Sequence, residues 1–462
     1  MTARRHLRFW DVVLYGVSMN LGLRWLATAA AAGPASLPIW FLAGAIFLAP
    51  LVITATELVG RSEGEGAIYA WTRDAFGPFA GFLCGWIYWL SNLPFFCGLL
   101  FFVIEVVLST LAPGERAALS GPGARMALAS LLCILLLALN LFGLGRAKWL
   151  PIIGAVASFV VYAIILAIGA LIAAQGRPAT DFVHSVYVPP MDANAAILWS
   201  TIVFAYVGAE GLPLLRNEIE GGMGRLVRAM IFVGVLLACA YLFGTLSMLA
   251  IMAPEQASRL SGLPEAVAIG LSRMGVSQLG PPLLWLLVIG SLGGYSSWFA
   301  AAARLPYAAG LDHTLPPIFA KRDAGTGAPV AAMIFQTVLV LALIVISQSG
   351  ASARAAYDFI VAMTVLSVVF PYLFMFAAFI KVQSKPAPIG AWTSPGGPKA
   401  ARLVGWVGFL VSLSAMICSL APSPDATDPV GSTVKLLVAT GAMVISGTAL
   451  YGLAHFRRPK TA

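Results

Sequence analysis

Apolar runs of about 20 residues, the length a helix needs to cross a bilayer, recur along the whole chain and are bounded by glycine, proline or charge. They predict transmembrane helices near residues 10–32, 38–59, 79–111, 126–144 and 149–174. Beyond the polar stretch Gln175–Asp192 come five more, near 195–215, 227–252, 281–305, 329–348 and 356–380. A Pro- and Gly-rich linker, Lys385–Pro398, precedes the last two, near 403–421 and 434–455. The pattern therefore predicts an all-α integral membrane protein of twelve spans, one polytopic domain over 1–462. Residues 10–174 and 195–380 form two groups of five spans, and 403–455 is a trailing pair.

Composition agrees: 60% of the residues are hydrophobic, 10% are charged, and mean hydropathy is +0.90. Soluble domains run near 45–50% apolar and about 25% charged. No polar stretch is long enough to fold as a separate domain, which excludes an extramembrane enzyme. The formal charge of +9 comes from basic residues scattered singly between apolar runs, not from the stripe a nucleic-acid binder carries. It is better explained as orientation. With a cytoplasmic N-terminus the inside segments hold 20 Lys and Arg, the outside segments 7, and Arg24 lies within a span, as the positive-inside rule requires. Both termini are then expected in the cytoplasm, and the plasma membrane is the expected location.

Cys84, Cys97, Cys133, Cys239 and Cys418 all fall inside apolar runs without paired spacing and read as buried thiols. The histidines lie in loops or near the termini, so neither metal nor cofactor is expected. Arg4, Arg5 and Arg8 followed by an apolar, alanine-rich stretch imitate a signal peptide. Asn20 and Arg24 interrupt that stretch, which favours a retained first span.

In hydrocarbon every backbone N–H and C=O needs a partner, so a span with helix breakers at its centre usually lines a cavity. The first span reads Gly16, Val17, Ser18, Met19, Asn20, Leu21, Gly22, Leu23, Arg24. The sixth reads Phe204, Ala205, Tyr206, Val207, Gly208, Ala209, Glu210, Gly211, Leu212, Pro213. These spans open the two groups of five, and interruptions at corresponding places mark a secondary transporter built from inverted repeats. Each break frees amides and carbonyls, a polarity that suits a zwitterion. Its carboxylate is expected at the amides near Asn20, Leu21 and Gly22, its ammonium at the carbonyls near Val17, Ser18, Phe204 and Ala205, with Tyr206 and Gly208 alongside. Glycines for close helix packing are the alternative; they leave Asn20, Arg24 and Glu210 unexplained.

Several blocks resemble the amino acid, polyamine and organocation (APC) superfamily of transporters. Glu57 and Leu58, then Gly64, Gly66 and Tyr69, then Ala75, Phe76, Gly77, Pro78, Gly81, Phe82, Gly85 and Trp86 follow the superfamily's run through the second and third spans. Gly208 and Glu210 resemble its "G-x-E" in the sixth. Gly290, Ser291, Leu292, Gly293, Gly294 and Tyr295 resemble the eighth-span motif of the arginine/agmatine exchanger branch, as do Leu315, Pro316, Pro317, Ile318 and Phe319 after it. The resemblance implies a five-plus-five inverted repeat with two trailing helices. By carry-over Phe204 is the aromatic that closes over substrate and Tyr295 lines the pocket, with ordinary helix packing as the alternative for both. Trp89, Asn92 and Ser296 are weaker candidates in spans that face the site in relatives. The run Met19 to Arg24 departs from the glycine-rich first-span motif and is nearer to the glutamate/GABA antiporter-like branch. Ala155 stands where some relatives carry a proton-linked lysine.

An arginine at mid-span costs about 2.5–3.5 kcal/mol on insertion scales, so Arg24 is expected to face the cavity or a carboxylate. Glu210 is the first candidate partner and also a candidate proton carrier or gate; a purely structural pair is the alternative. Glu57 and Glu105, near span ends, are expected at the membrane interface, and Lys148, at the start of the fifth span, is expected to be a cytoplasmic anchor. The chain is thus expected to move amino acids by alternating access, as an exchanger or proton-linked permease, against a counter-substrate or a proton. A polyamine or organic cation is the runner-up substrate class. A channel should show rings of repeated polar residues, a scaffold has no use for paired interruptions, and no phosphate-binding G-x-x-x-x-G-K-[ST] stretch is present. Whether the chain forms a homodimer in the bilayer is left open by the sequence.

Overall fold

The computed structural model describes residues 7–62, 67–142, 149–311, 313–348, 353–422 and 428–456; Arg4, Arg5, Gly64, Gly66 and Lys148 fall outside them. Apart from a single bridge between Leu7 and Ile219, the described residues are helical or irregular. Among the described residues a helix stands at each of the twelve predicted spans. The first is split into Phe9–Asn20 and Arg24–Ala30. The second runs Ser36–Arg61 through a π turn at Gly44–Leu48. Then follow Pro78–Ser109, Pro122–Leu141 and Trp149–Ala174. The sixth is an α-helix over Ala193–Ala205 continued by a 3-10 segment, Ala209–Glu218. Gly222–Ile251, Gly280–Ala302, Val330–Gln348, Ala353–Val382, Gly397–Cys418 and Pro429–Phe456 complete the set. Ten have the length and apolarity to cross a bilayer; the others are the split first span and the ninth, whose apolar stretch Val330–Ile346 is shorter.

Short helices appear where the hydrophobic pattern left loops: Ile68–Phe76, Pro113–Leu119, Gly262–Arg273 and Arg304–Leu311. In Gly262–Arg273 the buried residues Leu263, Ala266, Val267, Gly270 and Leu271 follow one helical stripe. A single stripe packs against the bundle without crossing it.

The fifth and eighth spans approach closely because glycine faces glycine. A Cβ on Gly154 would lie 2.7 Å from the Gly293 Cα. The Gly290 to Gly294 motif thereby sets the eighth span against both the fifth and the first, where Gly294 meets the Ser18 carbonyl.

One expectation needs correction, and two carboxylates prove to be covered by protein. Cys84, Cys97 and Cys133 are buried, but Cys239 is exposed on the surface of its span and Cys418 is half-buried, because an apolar run does not say which face a residue occupies. Glu57, near the end of its span, is 1% exposed, covered by the linker after the tenth span. Gln383 donates to it at 2.9 Å, the Ser394 amide at 2.8 Å, and the Ser394 hydroxyl and Arg61 also bond to it. Glu105 is likewise buried, between Arg116 (2.9 Å) and Arg125 (3.1 Å).

Candidate functional site

The first span stops being helical at Asn20 because its local groups find other partners. Tyr241, on the seventh span, donates from its hydroxyl to the Asn20 carbonyl (2.7 Å) and accepts from the Gly22 amide (3.1 Å). The Trp298 indole donates to the Met19 carbonyl at 2.6 Å. The Asn20 side-chain amide turns back to the Gly16 carbonyl at 2.7 Å. Side chains thus supply, inside the bundle, the partners that broken backbone at this depth needs. The amides of Leu21 and Gly22, expected to receive a carboxylate, are already engaged with the Val17 carbonyl (2.8 Å) and with Tyr241.

The sixth span breaks beside the first. Gly208 has φ +130°, and a Cβ there would lie 1.8 Å from the Asn20 Oδ1 and 3.1 Å from the Trp298 ring. Only glycine fits a backbone so turned and so close. The Gly208 amide donates to the Glu210 carboxylate at 3.0 Å, and the Tyr88 hydroxyl to its other oxygen at 2.5 Å.

Between the two breaks, with walls from the third, fifth, eighth and tenth spans, lies a cavity of about 70 Å³ open to the centres of water-sized molecules. A single water fills only about 10–15 Å³, so this cavity takes several waters or a small solute. Among the described residues lining it, Arg24 is the charged one and none is a carboxylate. The Arg24 guanidinium lies 4.3 Å from the Trp25 ring centroid and 5.1 Å from that of Phe95, and Phe204 meets Trp25 edge-on at 5.3 Å. The site is therefore an aromatic box around one cation, with Asn20, Ser91 and Asn92 as polar lining groups.

Of the residues singled out in the sequence, Ser18, Asn20, Leu21, Gly22, Arg24, Asn92, Phe204 and Ala205 line this cavity. Others lie behind its wall. Val17 is fully buried, and Gly208 packs on Asn20. Tyr206 donates to the Trp40 carbonyl (3.1 Å) and packs on Tyr241 at 5.5 Å, so it props the residue that bridges the first break. Tyr295 stacks on Phe299 and touches the Cys133 sulfur at 3.6 Å. Trp89 donates to Gln336 at 2.9 Å, and Ser296 to Asn140 at 3.0 Å. Glu210 stands behind Tyr88, with its oxygens accepting from that hydroxyl and from the Gly208 amide.

Sequence reasoning missed Trp25, Tyr88, Phe95, Tyr241 and Trp298. A signal existed for some of them. Tyr88, Asn92, Phe95, Leu99 and Phe102 line the cavity at alternating spacings of four and three, one face of a helix; Trp89 is one residue off that face. Gly290, Gly294 and Trp298 form a similar row on the eighth span, and Tyr295 is again one residue off.

Residues 7–446 match the sequence model of a family described as amino acid permease. An uncharacterized transporter of Legionella pneumophila is 26% identical over 426 residues, 91% of this chain and 90% of that protein. An arginine/agmatine antiporter of Chlamydia abortus is 25% identical, covering 81% of this chain and 76% of its own length. A glutamate/gamma-aminobutyrate antiporter of Lactococcus lactis is 22% identical, covering 82% and 77%.

Proposed function

The chain belongs to the amino acid permease family, and we propose that it carries amino acids across the cytoplasmic membrane by alternating access, with the substrate held between the interrupted first and sixth spans. It is a multi-pass membrane transporter and no enzyme. The observation that carries the finer reading is the cavity itself: it forms where both helices break, and its described lining residues include Arg24 and no carboxylate. A zwitterion brings a carboxylate that a guanidinium attracts. A di- or tricationic polyamine would meet a like charge in a partly dry site, where repulsion is strongest.

In this reading the rings of Trp25, Phe95 and Phe204 cover the substrate and exclude water, with Phe204 moving as the sixth span moves. Alternating access is a rocking of the first and sixth spans against the scaffold of the third and eighth. Glu210 acts as coupling residue, because it grips Gly208 at the sixth break and reaches the cavity wall through Tyr88. The two groups of five spans are the inverted repeats, and both termini face the cytoplasm. The arginine/agmatine and glutamate/gamma-aminobutyrate relatives are named as antiporters, which favours exchange against a counter-substrate.

The test is counterflow uptake by the purified chain in proteoliposomes, against a panel of amino acids and polyamines at acidic and neutral pH. Saturable exchange of one or more amino acids is expected. Saturable uptake of putrescine with no amino acid carried would replace the reading by an amine exchanger, and flux without saturation or counterflow would replace it by a channel.

A further inference from the structure

The chain enters the first span alongside the start of the seventh. The Glu220 amide donates to the Leu7 carbonyl at 2.9 Å, and the two segments enclose a surface pocket lined by Arg8, Phe9, Trp10, Glu220, Arg225 and Arg228. Arg225 and Arg228 lie one turn apart, and the same helix face continues through Phe232 and Val235. Trp10 is 62% exposed, Phe232 43% and Val235 61%. Trp10 meets Phe232 edge-on at 5.8 Å and Phe9 at 5.3 Å.

The order along this face is informative. Phe232 and Val235 belong to a membrane span and point outward, so in the bilayer they face lipid. Arg228 is four residues, about 6 Å, nearer the membrane surface than Phe232, and aromatic residues such as Trp10 settle at headgroup level. Guanidinium, aromatic ring and aliphatic chain thus follow one another as phosphate, glycerol and acyl chain do in a phospholipid. Two carboxylates face the same pocket or its rim. Glu220 is 4.0 Å from Arg225, and Asp11 accepts from the Arg8 backbone amide at 2.9 Å. Among the described residues, three arginines against two carboxylates leave one positive charge, which suits a headgroup with a single phosphodiester.

We propose that this pocket binds the phosphate of an anionic phospholipid, with an acyl chain along Phe232 and Val235. Bound there, the lipid spans the entry of the broken first helix and the start of the seventh, whose Tyr241 bridges the break. Basic groups between helices at the membrane surface recognise such headgroups, and each contributes several-fold to affinity.

The full-length protein in detergent, titrated with phosphatidylglycerol and with phosphatidylcholine of the same acyl chains and read by native mass spectrometry, tests this. Wild type is expected to retain phosphatidylglycerol preferentially, and R225Q/R228Q to bind it about thirtyfold more weakly. R225K/R228K, which keeps the charges, is expected to keep the preference. Should the double glutamine variant fail to fold, R228Q alone, on the exposed rim, is expected to lose about fivefold. Unchanged phosphatidylglycerol binding in the glutamine variant, or equal retention of the two lipids by wild type, overturns the proposal. Displacement of the lipid by equimolar glycerol phosphate overturns it too, by assigning the pocket to a soluble phosphate.

Discussion

Gly208→Ala puts the contact between the two interrupted helices to the test. The added methyl would fall 1.8 Å from the Asn20 Oδ1, well inside contact distance, so Asn20 must leave its place. Leaving it breaks the 2.7 Å bond to the Gly16 carbonyl, a net loss of about 0.5–1.5 kcal/mol. The φ of +130° adds about 1–3 kcal/mol of backbone strain for any residue with a Cβ. Together these come to about 1.5–4.5 kcal/mol, and if they fall on the substrate-bound state, exchange should slow about 10- to 2000-fold. Counterflow in proteoliposomes is the assay. Gly390→Ala is the control, because Gly390 also has positive φ (+79°) but meets nothing within 4 Å; it should transport nearly as wild type. N20A/G208A completes a double-mutant cycle. With the asparagine side chain gone the 1.8 Å clash disappears and only the 3.1 Å approach to the Trp298 ring remains, so the second substitution should cost less in that background. Exchange by Gly208→Ala within about threefold of wild type, or strict additivity in the cycle, would show that the two breaks do not depend on each other and would refute the argument.

Three further outcomes are expected. Trp298→Phe leaves the Met19 carbonyl without its indole donor, a cost of about 1–3 kcal/mol, and should reduce exchange about 5- to 150-fold; Tyr295→Phe, which loses only a contact to a thiol, should stay within about threefold, and equal effects would contradict the placement of the cavity. Glu210→Gln should abolish any difference between uptake at acidic and neutral pH, so a pH profile identical to wild type removes its coupling role. Glu57→Ala leaves Arg61, 7% exposed, without its buried partner and frees the linker at Ser394; a cost of about 3–5 kcal/mol should lower the melting temperature in detergent, and an unchanged melt would mean the linker is held by other contacts.

Hydrophobic runs alone fixed the number and approximate limits of the spans, because a bilayer imposes one length and one chemistry on every crossing. The breaks at Asn20 to Leu23 and around Gly208 were also legible, since glycine, asparagine and charge at mid-depth have no place in an unbroken span. Which side chains meet at those breaks was not. Tyr241 is 221 residues from Asn20 and Trp298 is 279 from Met19, and no local pattern encodes contacts so distant in the chain. Adjacent residues on one helix point about 100° apart, so Tyr88 lines the cavity while Trp89 turns away. Arg24 and Glu210 offered an obvious pair by charge; that a tyrosine hydroxyl and the Gly208 amide reach Glu210, and that the rings of Trp25 and Phe95 flank Arg24, was decided by packing. The membrane dictates apolar length from sequence alone; only the packed bundle decides which polar group reaches which broken backbone.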